Sequence, residues 1–318
     1  MKKILITGAG GFIGSHMAAY LNSKIKSNPE LGLQLYLQYR ANMERIKDIP
    51  HFLLQFDLNG DYPEMPKFDY IVHFASNADV QASIEDCTAH VKDNLSGTAR
   101  FFEWIKQEQK QAKVCLFSSD EVLGPAKKGE SFSETAPLKP SNPYSATKAG
   151  QEMLAHAFAH SFGLDIFIVR SMNVYGKHES EWKFIGKVLN WIDKGEKIIL
   201  HGKSKEDVAS RHWVHAKDIA SAVWFLLQKA QPKEIYHIAG EEIDVYTLAS
   251  KLYLLMKGSQ LDDSQVEFVD YHSARKGHDR RYSLSNDKIL KMGWKPKVKI
   301  DEGLKEVVEY HRIRTSRG

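Results

Sequence analysis

The stretch "TGAGGFIG", residues 7–14, limits what this chain can fold into more than any other. It sets Gly8, Gly11 and Gly14 in a GxxGxxG spacing between an apolar run at 3–7 and a helical pattern at 13–26. Strand, glycine turn and helix in that order let backbone N–H groups and a helix N-terminus approach a pyrophosphate. Further apolar runs at 34–39, 51–56, 70–74, 114–117 and 165–170 alternate with helical patterns at 94–108 and 143–162. Such alternation predicts a parallel sheet with crossover helices, an α/β fold of the doubly wound, Rossmann type. The helix at 143–162 has Asn142 to cap it, Pro143 in its first turn and Gly163 to stop it. Beyond Gly176 the pattern is less regular, with a helix at 185–194, a strand at 197–200 and a helix at 218–229. No repeat, low-complexity tract or linker sets this part aside. The expected division is a Rossmann-type domain of 1–172 plus about 212–240, interleaved with a smaller C-terminal lobe of 173–211 plus 241–318.

Composition narrows the class. With 318 residues, 42% of them hydrophobic, the chain can bury a large core. The net charge of +4 is spread along the sequence without a dense basic block or aromatic interleaving, so nucleic acid is not an expected partner. Cys87 and Cys115, both in apolar surroundings, make no disulfide framework and no metal site, and fit a reducing compartment. The opening "MKKILITGAGGFIG" is basic and then apolar, but glycines break it, and no later run approaches the roughly 18 apolar residues of a membrane span. A cytoplasmic protein without membrane attachment is expected.

Two short patterns carry chemistry. "SSDEVLG", residues 118–124, puts Asp120 and Glu121 side by side where the apolar run 114–117 ends. Adjacent carboxylates resist joint ionisation, so one acid and one base can coexist near neutral pH. "PYSATK" places Tyr144 and Lys148 four apart, on one helix face, where an ammonium stabilises a tyrosinate and makes a general base. Taken singly, each pattern is better explained as a solvated turn or as an accidental pair on a surface helix.

Read together and in order, "GAGGFIG", "HFAS" at 73–76, Asn94 in "DNLSGT", Ser119 and "YSATK" resemble the extended short-chain dehydrogenase/reductase family over essentially the whole chain. The resemblance implies a bound NAD or NADP, a nucleotide sugar held by the smaller lobe, and Ser119, Tyr144 and Lys148 as the catalytic triad. Within the family, "SDEV", "PSNPYSATK", "NVYG" at 173–176, "RHWVHAKDIA" from Arg211, "YHIAG" at 236–240 and "RKGHDRRYSL" from Arg275 are most similar to the dTDP-glucose 4,6-dehydratases. That similarity implies cofactor contacts at Gly8, Gly11, Phe12, Ile13, Gly14, Asp57, Leu58, Phe74, Ala75, Tyr144 and Lys148. It implies sugar-nucleotide contacts at Ser76, Asn94, Asn173, Lys183, Arg211 and Arg275. It further implies that Tyr144 takes the 4-hydroxyl proton, Glu121 the C5 proton, and that Asp120 protonates the departing 6-hydroxyl of a nucleotide-diphosphate hexose.

Some residues depart from that pattern. Where NAD-using relatives place an acid after the second strand, this chain reads "YLQYRAN", and Arg40 there can pair with a 2′-phosphate, which tilts the expectation toward NADP. "SNADVQAS", "KHESEW" and His237 also differ, so neither the sugar nor the base follows from the resemblance. The family's usual homodimer would bring together the helices at 94–108 and 143–162, whose outer faces carry Phe101, Trp104, Met153 and Phe158, enough for an apolar seam, although core packing within one chain explains some of them equally well. Three readings stand open: a 4,6-dehydratase; an epimerase, decarboxylase or 5,6-dehydratase of the same fold; and a non-catalytic dinucleotide sensor. The intact Ser119, Tyr144 and Lys148 argue against the sensor, which needs no proton relay.

Overall fold

Strand β1 (Lys2–Thr7) is buried on both faces from Ile4 onward, as a central parallel strand covered by helices on either side must be. The computed structural model describes residues 1–270 and 280–316. After β1 come α1 (Phe12–Ser27), β2 (Leu33–Tyr39), β3 (Phe52–Gln55), β4 (Tyr70–His73), α2 (Val80–Glu85), α3 (Thr88–His90) and α4 (Gly97–Glu108). Then follow β5 (Lys113–Ser119), α5 (Pro143–Phe162), β6 (Ile166–Ser171), β7 (Asn173–Tyr175), α6 (Phe184–Lys194), β8 (Ile198–His201), β9 (Ser210–His215) and α7 (Ala216–Lys229). The chain continues with β10 (Ile235–Ile238), β11 (Glu241–Asp244), α8 (Val245–Lys257), β12 (Val266–Val269) and helices at Asp287–Lys291 and Ile300–Thr315.

Seven of these strands form one parallel sheet in the order β10-β6-β5-β4-β1-β2-β3. The order reverses between β1 and β4, so a crevice opens at the carboxyl ends of β1, β4 and β5, beside Thr7, His73 and Ser119. Met17 and Leu21 of α1 pack with Val223 and Leu226 of α7 on one face of the sheet. Phe101, Phe102 and Ile105 of α4 pack with Ala155, Phe158 and Ala159 of α5 on the other. Phe101 and Phe158, expected on outer helix faces, therefore belong to the chain's own core, whereas Met153 is exposed. Helical periodicity identifies an apolar face without saying which neighbour covers it.

The smaller part holds a three-stranded sheet, β11-β9-β7, and a parallel pair, β12-β8. Val188 and Leu189 of α6, Leu248 and Leu252 of α8, and Leu304 and Val308 of the last helix close over them. Strand β9 pairs with β7 and β11, while the helix that follows it, α7, lies on the large sheet, so the chain crosses between the two layers at about His215. The helix expected from residue 94 begins instead as a π-helical turn, Val91–Ser96, and becomes α-helical at Gly97. Among the described residues no helix is long and apolar enough to cross a membrane.

A buried polar string runs beneath the crevice. Thr7 Oγ1 meets His73 Nδ1 at 2.8 Å, His73 Nε2 meets Thr98 Oγ1 at 3.2 Å, and Gln151 Nε2 donates to Thr98 Oγ1 at 2.6 Å. Burial and the nearby Lys148 ammonium lower the His73 pKa to about 3 from an ordinary value of 6.5. The imidazole is thus neutral when folded and takes a proton more readily when unfolded, so its contribution to stability is whole above pH 6.5 and is lost as pH falls toward 3. Melting curves between these two pH values should fall more steeply for the native protein than for His73→Gln; parallel curves would show that His73 is not held neutral.

Candidate active site

At the nucleotide end of the crevice, Gly8 turns the chain out of β1 with φ +66°, a left-handed conformation suited to glycine. Its N–H donates to Gln38 Oε1 at 2.8 Å, and the Gly11 N–H donates back to Gly8 O at 2.9 Å. A Cβ on Gly14 would lie 2.3 Å from Gly8 O, and one on Gly10 would lie 1.9 Å from Asn42 O, so no other residue fits this close approach. Helix α1 starts at Phe12 and Ile13 with no side-chain cap on Gly11 and no acid in its first turn, leaving its N–H groups to an anion. Phe74 packs its ring on Phe117 at 4.9 Å, and Ala75 N donates to Thr7 Oγ1 at 3.4 Å. At the end of β2, Arg40 pairs with Asp93 at 3.2 Å and lies 3.7 Å from Asp57, beside the buried Leu58.

The acids stand at the end of β5. Ser119 caps a short 3-10 turn, Asp120–Leu123, accepting from Glu121 N at 3.2 Å while its hydroxyl donates to Asp120 Oδ1 at 3.0 Å. Asp120 Oδ2 is buried with no hydrogen-bond partner among the described residues. Burial first, and then the neighbouring Glu121 charge, raise the Asp120 pKa to about 7. Glu121 is in a different setting, its Oε2 accepting from Asn142 Nδ2 at 2.8 Å. The same Asn142 caps α5 by accepting from Ser145 N at 2.8 Å, so one amide fixes both the helix start and the carboxylate.

Two residues into α5, Tyr144 is buried, and Ser83 Oγ accepts from its backbone N–H at 3.1 Å. Burial and the Glu121 and Asp120 charges raise its phenol pKa, and the Ser119 hydroxyl facing it pulls the other way. One turn on, Lys148 donates to Phe117 O at 2.7 Å; burial lowers its pKa to about 7, against the pull of Glu152. Ser119, Asp120, Glu121, Tyr144 and Lys148 are therefore brought to one place.

The expected sugar-side residues spread around the crevice. Asn94 lies in the π-helical turn with its amide fully engaged: Oδ1 accepts from Asn77 N at 2.7 Å and Ser76 Oγ at 3.0 Å, and Nδ2 donates to Thr147 Oγ1 at 2.9 Å and Asn77 O at 3.0 Å. It holds the loop after β4 and helix α5 together. Lys183 stands at the position before α6, and its ammonium donates to Ala78 O at 3.5 Å and lies 4.4 Å from the Trp182 ring centroid. Arg211, on β9, stands over the Tyr282 ring at 5.2 Å, and its charge works to lower the Asp120 pKa. Asn173 opens β7. Arg275 lies outside the described residues.

The family model described as GDP-mannose 4,6 dehydratase matches residues 5–307. The chain belongs to this family. It is 30% identical to a human dTDP-D-glucose 4,6-dehydratase, over 98% of this chain and 90% of the relative. A crystal structure of a dTDP-glucose 4,6-dehydratase from Streptomyces venezuelae with NAD bound superposes with a TM-score of 0.87 at 30% identity, covering 99% of this chain and 98% of that one. A UDP-glucose 4-epimerase from Thermus thermophilus, with a TM-score of 0.81 and 24% identity over 98% of this chain and 99% of that one, shares the fold. Fold alone therefore does not choose the chemistry, and the side chains must.

Several residues that build the site escape a sequence reading. Gly10, Gln38, Ser83 and Thr98 act through contacts with residues far along the chain. Asn142 is legible as a cap, but its second role depends on folding Glu121 against it. Asn142→Ala should lower stability by about 1 kcal/mol, the usual worth of such a cap. Asn142→Asp keeps the cap but sets a carboxylate against Glu121, and should also unfold at lower urea than the native protein; native stability for the Asp variant would show that Asn142 and Glu121 are not engaged.

Proposed function

We propose that this chain is a nucleotide-sugar 4,6-dehydratase, a hydro-lyase that converts an NDP-hexose to an NDP-4-keto-6-deoxyhexose and water. The observation that carries the reading is the unequal pair of acids beside Tyr144: Asp120, buried and held protonated up to about pH 7, and Glu121, hydrogen-bonded to Asn142. An elimination needs an acid and a base at neighbouring carbons, and this pair supplies both.

The glycine turn and the open N-terminus of α1 fit a dinucleotide pyrophosphate, since Cβ atoms at Gly8 and Gly14 would fill the turn. NAD or NADP, when bound, supplies a reversible acceptor for the hydride of C4, which is returned at C6. The protein's own groups do the proton work. Tyr144 takes the proton of the 4-hydroxyl, with Lys148 stabilising the phenolate and Ser119 orienting it. Oxidation at C4 acidifies C5–H, Glu121 removes that proton, and Asp120 gives its proton to the leaving 6-hydroxyl. Arg211, Asn173 and Lys183, with Arg275, are assigned to the sugar nucleotide, where guanidinium groups suit a diphosphate; Ser76 and Asn94 shape the loop it meets. The smaller lobe would hold the substrate, and exposed Val91, Met153 and Phe162 on the α3–α4 and α5 segments would form the seam of a cytoplasmic homodimer.

Mass spectrometry of products from a panel of NDP-hexoses tests the reading, and native protein that removes water from none of them would overturn it. Tyr144→Phe should cut turnover by roughly 10²–10⁴ with sugar binding kept. Glu121→Gln should still oxidise C4, read as reduced-cofactor absorbance, but should not exchange the C5 hydrogen with deuterated water. Asp120→Asn should exchange it and lose the 6-hydroxyl slowly.

The expectation of NADP from Arg40 meets a competing arrangement, because two carboxylates, Asp93 and Asp57, already face the guanidinium. A 2′-phosphate placed there would be repelled by both acids, which favours NAD. Titration calorimetry should give tighter binding of NAD than NADP by about tenfold or more, one tenfold step being about 1.4 kcal/mol; Asp93→Asn should narrow the gap, and a native preference for NADP would reverse the assignment.

A further inference from the structure

Helix α5 carries a third ionisable residue on the face that holds Tyr144 and Lys148. Glu152, one turn beyond Lys148, is fully buried, and three donors converge on its carboxylate. Ser118 Oγ donates to Oε1 at 2.6 Å, Arg170 Nε to Oε1 at 3.0 Å and Arg170 Nη2 to Oε2 at 2.7 Å. Ser118 directly precedes Ser119 on β5, and Arg170 lies on β6, so the carboxylate ties α5 to both strands beneath the reacting groups. Behind it, Arg170 Nη1 meets Glu134 O and His237 Nε2 of β10, each at 3.4 Å.

A buried ion pair is a poor device for stability alone, because apolar side chains of the same volume often serve as well. This pair sits one helical turn from the proton relay. We propose that Glu152 is a positioning residue: through Ser118 and Arg170 it locks α5 to β5 and β6 so that Tyr144 and Lys148 meet Ser119. The inference rests on the reading of Tyr144 and Lys148 as the proton-transfer pair.

The groups facing this cluster come from every element around it: His73 on β4, Asp120 and Glu121 after β5, Tyr144 and Lys148 on α5, Arg170 on β6, His237 on β10, Glu134 before α5, and Lys288 on the helix Asp287–Lys291. His73 and His237 are both held neutral, with pKa values lowered to about 3, so neither supplies charge near neutral pH. Burial pulls Lys148 to about 7, and Glu152 is the charge that works against that loss. Removing it leaves less ammonium at neutral pH, and a phenolate with less support.

The test uses the full-length protein with its cofactor and compares native, Glu152→Gln and the paired variant Glu152→Gln/Arg170→Gln. The single variant leaves a guanidinium buried and uncompensated, which destabilises the fold; the paired variant removes both charges and keeps the measurement possible. In both, the tie of α5 to β5 is lost, and kcat should fall about tenfold or more with KM little changed. In the single variant, which leaves the Arg170 charge behind, the acid limb of the kcat/KM profile should move up by about one pH unit; in the paired variant, which removes both charges, it should stay near its native place. A merely structural Glu152 would let the paired variant recover native kcat along with its melting temperature. That result, or a limb moved by less than about half a unit in a folded single variant, overturns the proposal. Tyr144→Phe run alongside separates the two ideas: activity retained there sinks the proton-transfer reading, whereas activity lost there with native kcat in the paired variant sinks only the role of Glu152.

Discussion

Lys148 has almost no access to water, and its ammonium donates to the main-chain carbonyl of Phe117 at 2.7 Å. A buried ammonium without such partners is costly, so this contact dictates where α5 can lie against the end of β5. Once α5 is set there, Tyr144 one turn earlier must face Ser119, and Asn142 just before it must face Glu121. The π-helical turn Val91–Ser96 serves the same placement, because the extra residue it accommodates brings Asn94 in to reach Thr147 of α5 and the loop after β4 at once.

The electrostatics of the site are coupled in a way that assigns different work to similar groups. Tyr144 is raised by two carboxylates, and Asp120 is one of them. A proton on Asp120, favoured up to about pH 7, would ready the general acid of the proposed reaction and also removes one of the two charges that add to burial in raising the phenol. Glu121 is held differently, its carboxylate accepting from Asn142 Nδ2. Buried titratable groups cost stability, and their concentration at the end of one strand supports the proposed proton transfer.

The large sheet is legible in the sequence because most of its strands carry apolar runs and its helices are long, and the glycine turn shows where the crevice begins. The strands of the smaller part are harder to read. β7, β9, β11 and β12 are only 3–6 residues long, with polar residues such as Arg211 and Glu242 interspersed, so neither alternation nor an apolar run marks them. Ser119, Asp120, Glu121, Tyr144 and Lys148 are legible because their residue types stand out at fixed spacing. Glu152 and Arg170 are not, although Glu152 repeats the four-residue step from Tyr144 to Lys148; nothing local shows that a charge at the end of the strand "IFIVRS" is buried. Their pairing is a fact of tertiary contact.

The loop after β4 joins the two halves of the problem. Ser76 and Asn77 are bound by Asn94 to the layer that carries Tyr144 and Lys148, and Ala78 O receives Lys183 from the first residue before α6 in the smaller part. A shift of Lys183 would thus be felt at the neighbouring Asn77, which is held by the same Asn94 amide that binds Thr147 of α5. Under the proposed function, such a connection makes substrate contacts and catalytic geometry depend on one short segment. Two of the stretches in which this sequence departs from the family pattern meet at this contact, "SNADVQAS" holding Ala78 and "KHESEW" directly preceding Lys183. In that reading, changing the residues that meet the sugar while holding those that move protons alters which substrate is accepted without altering the reaction performed on it.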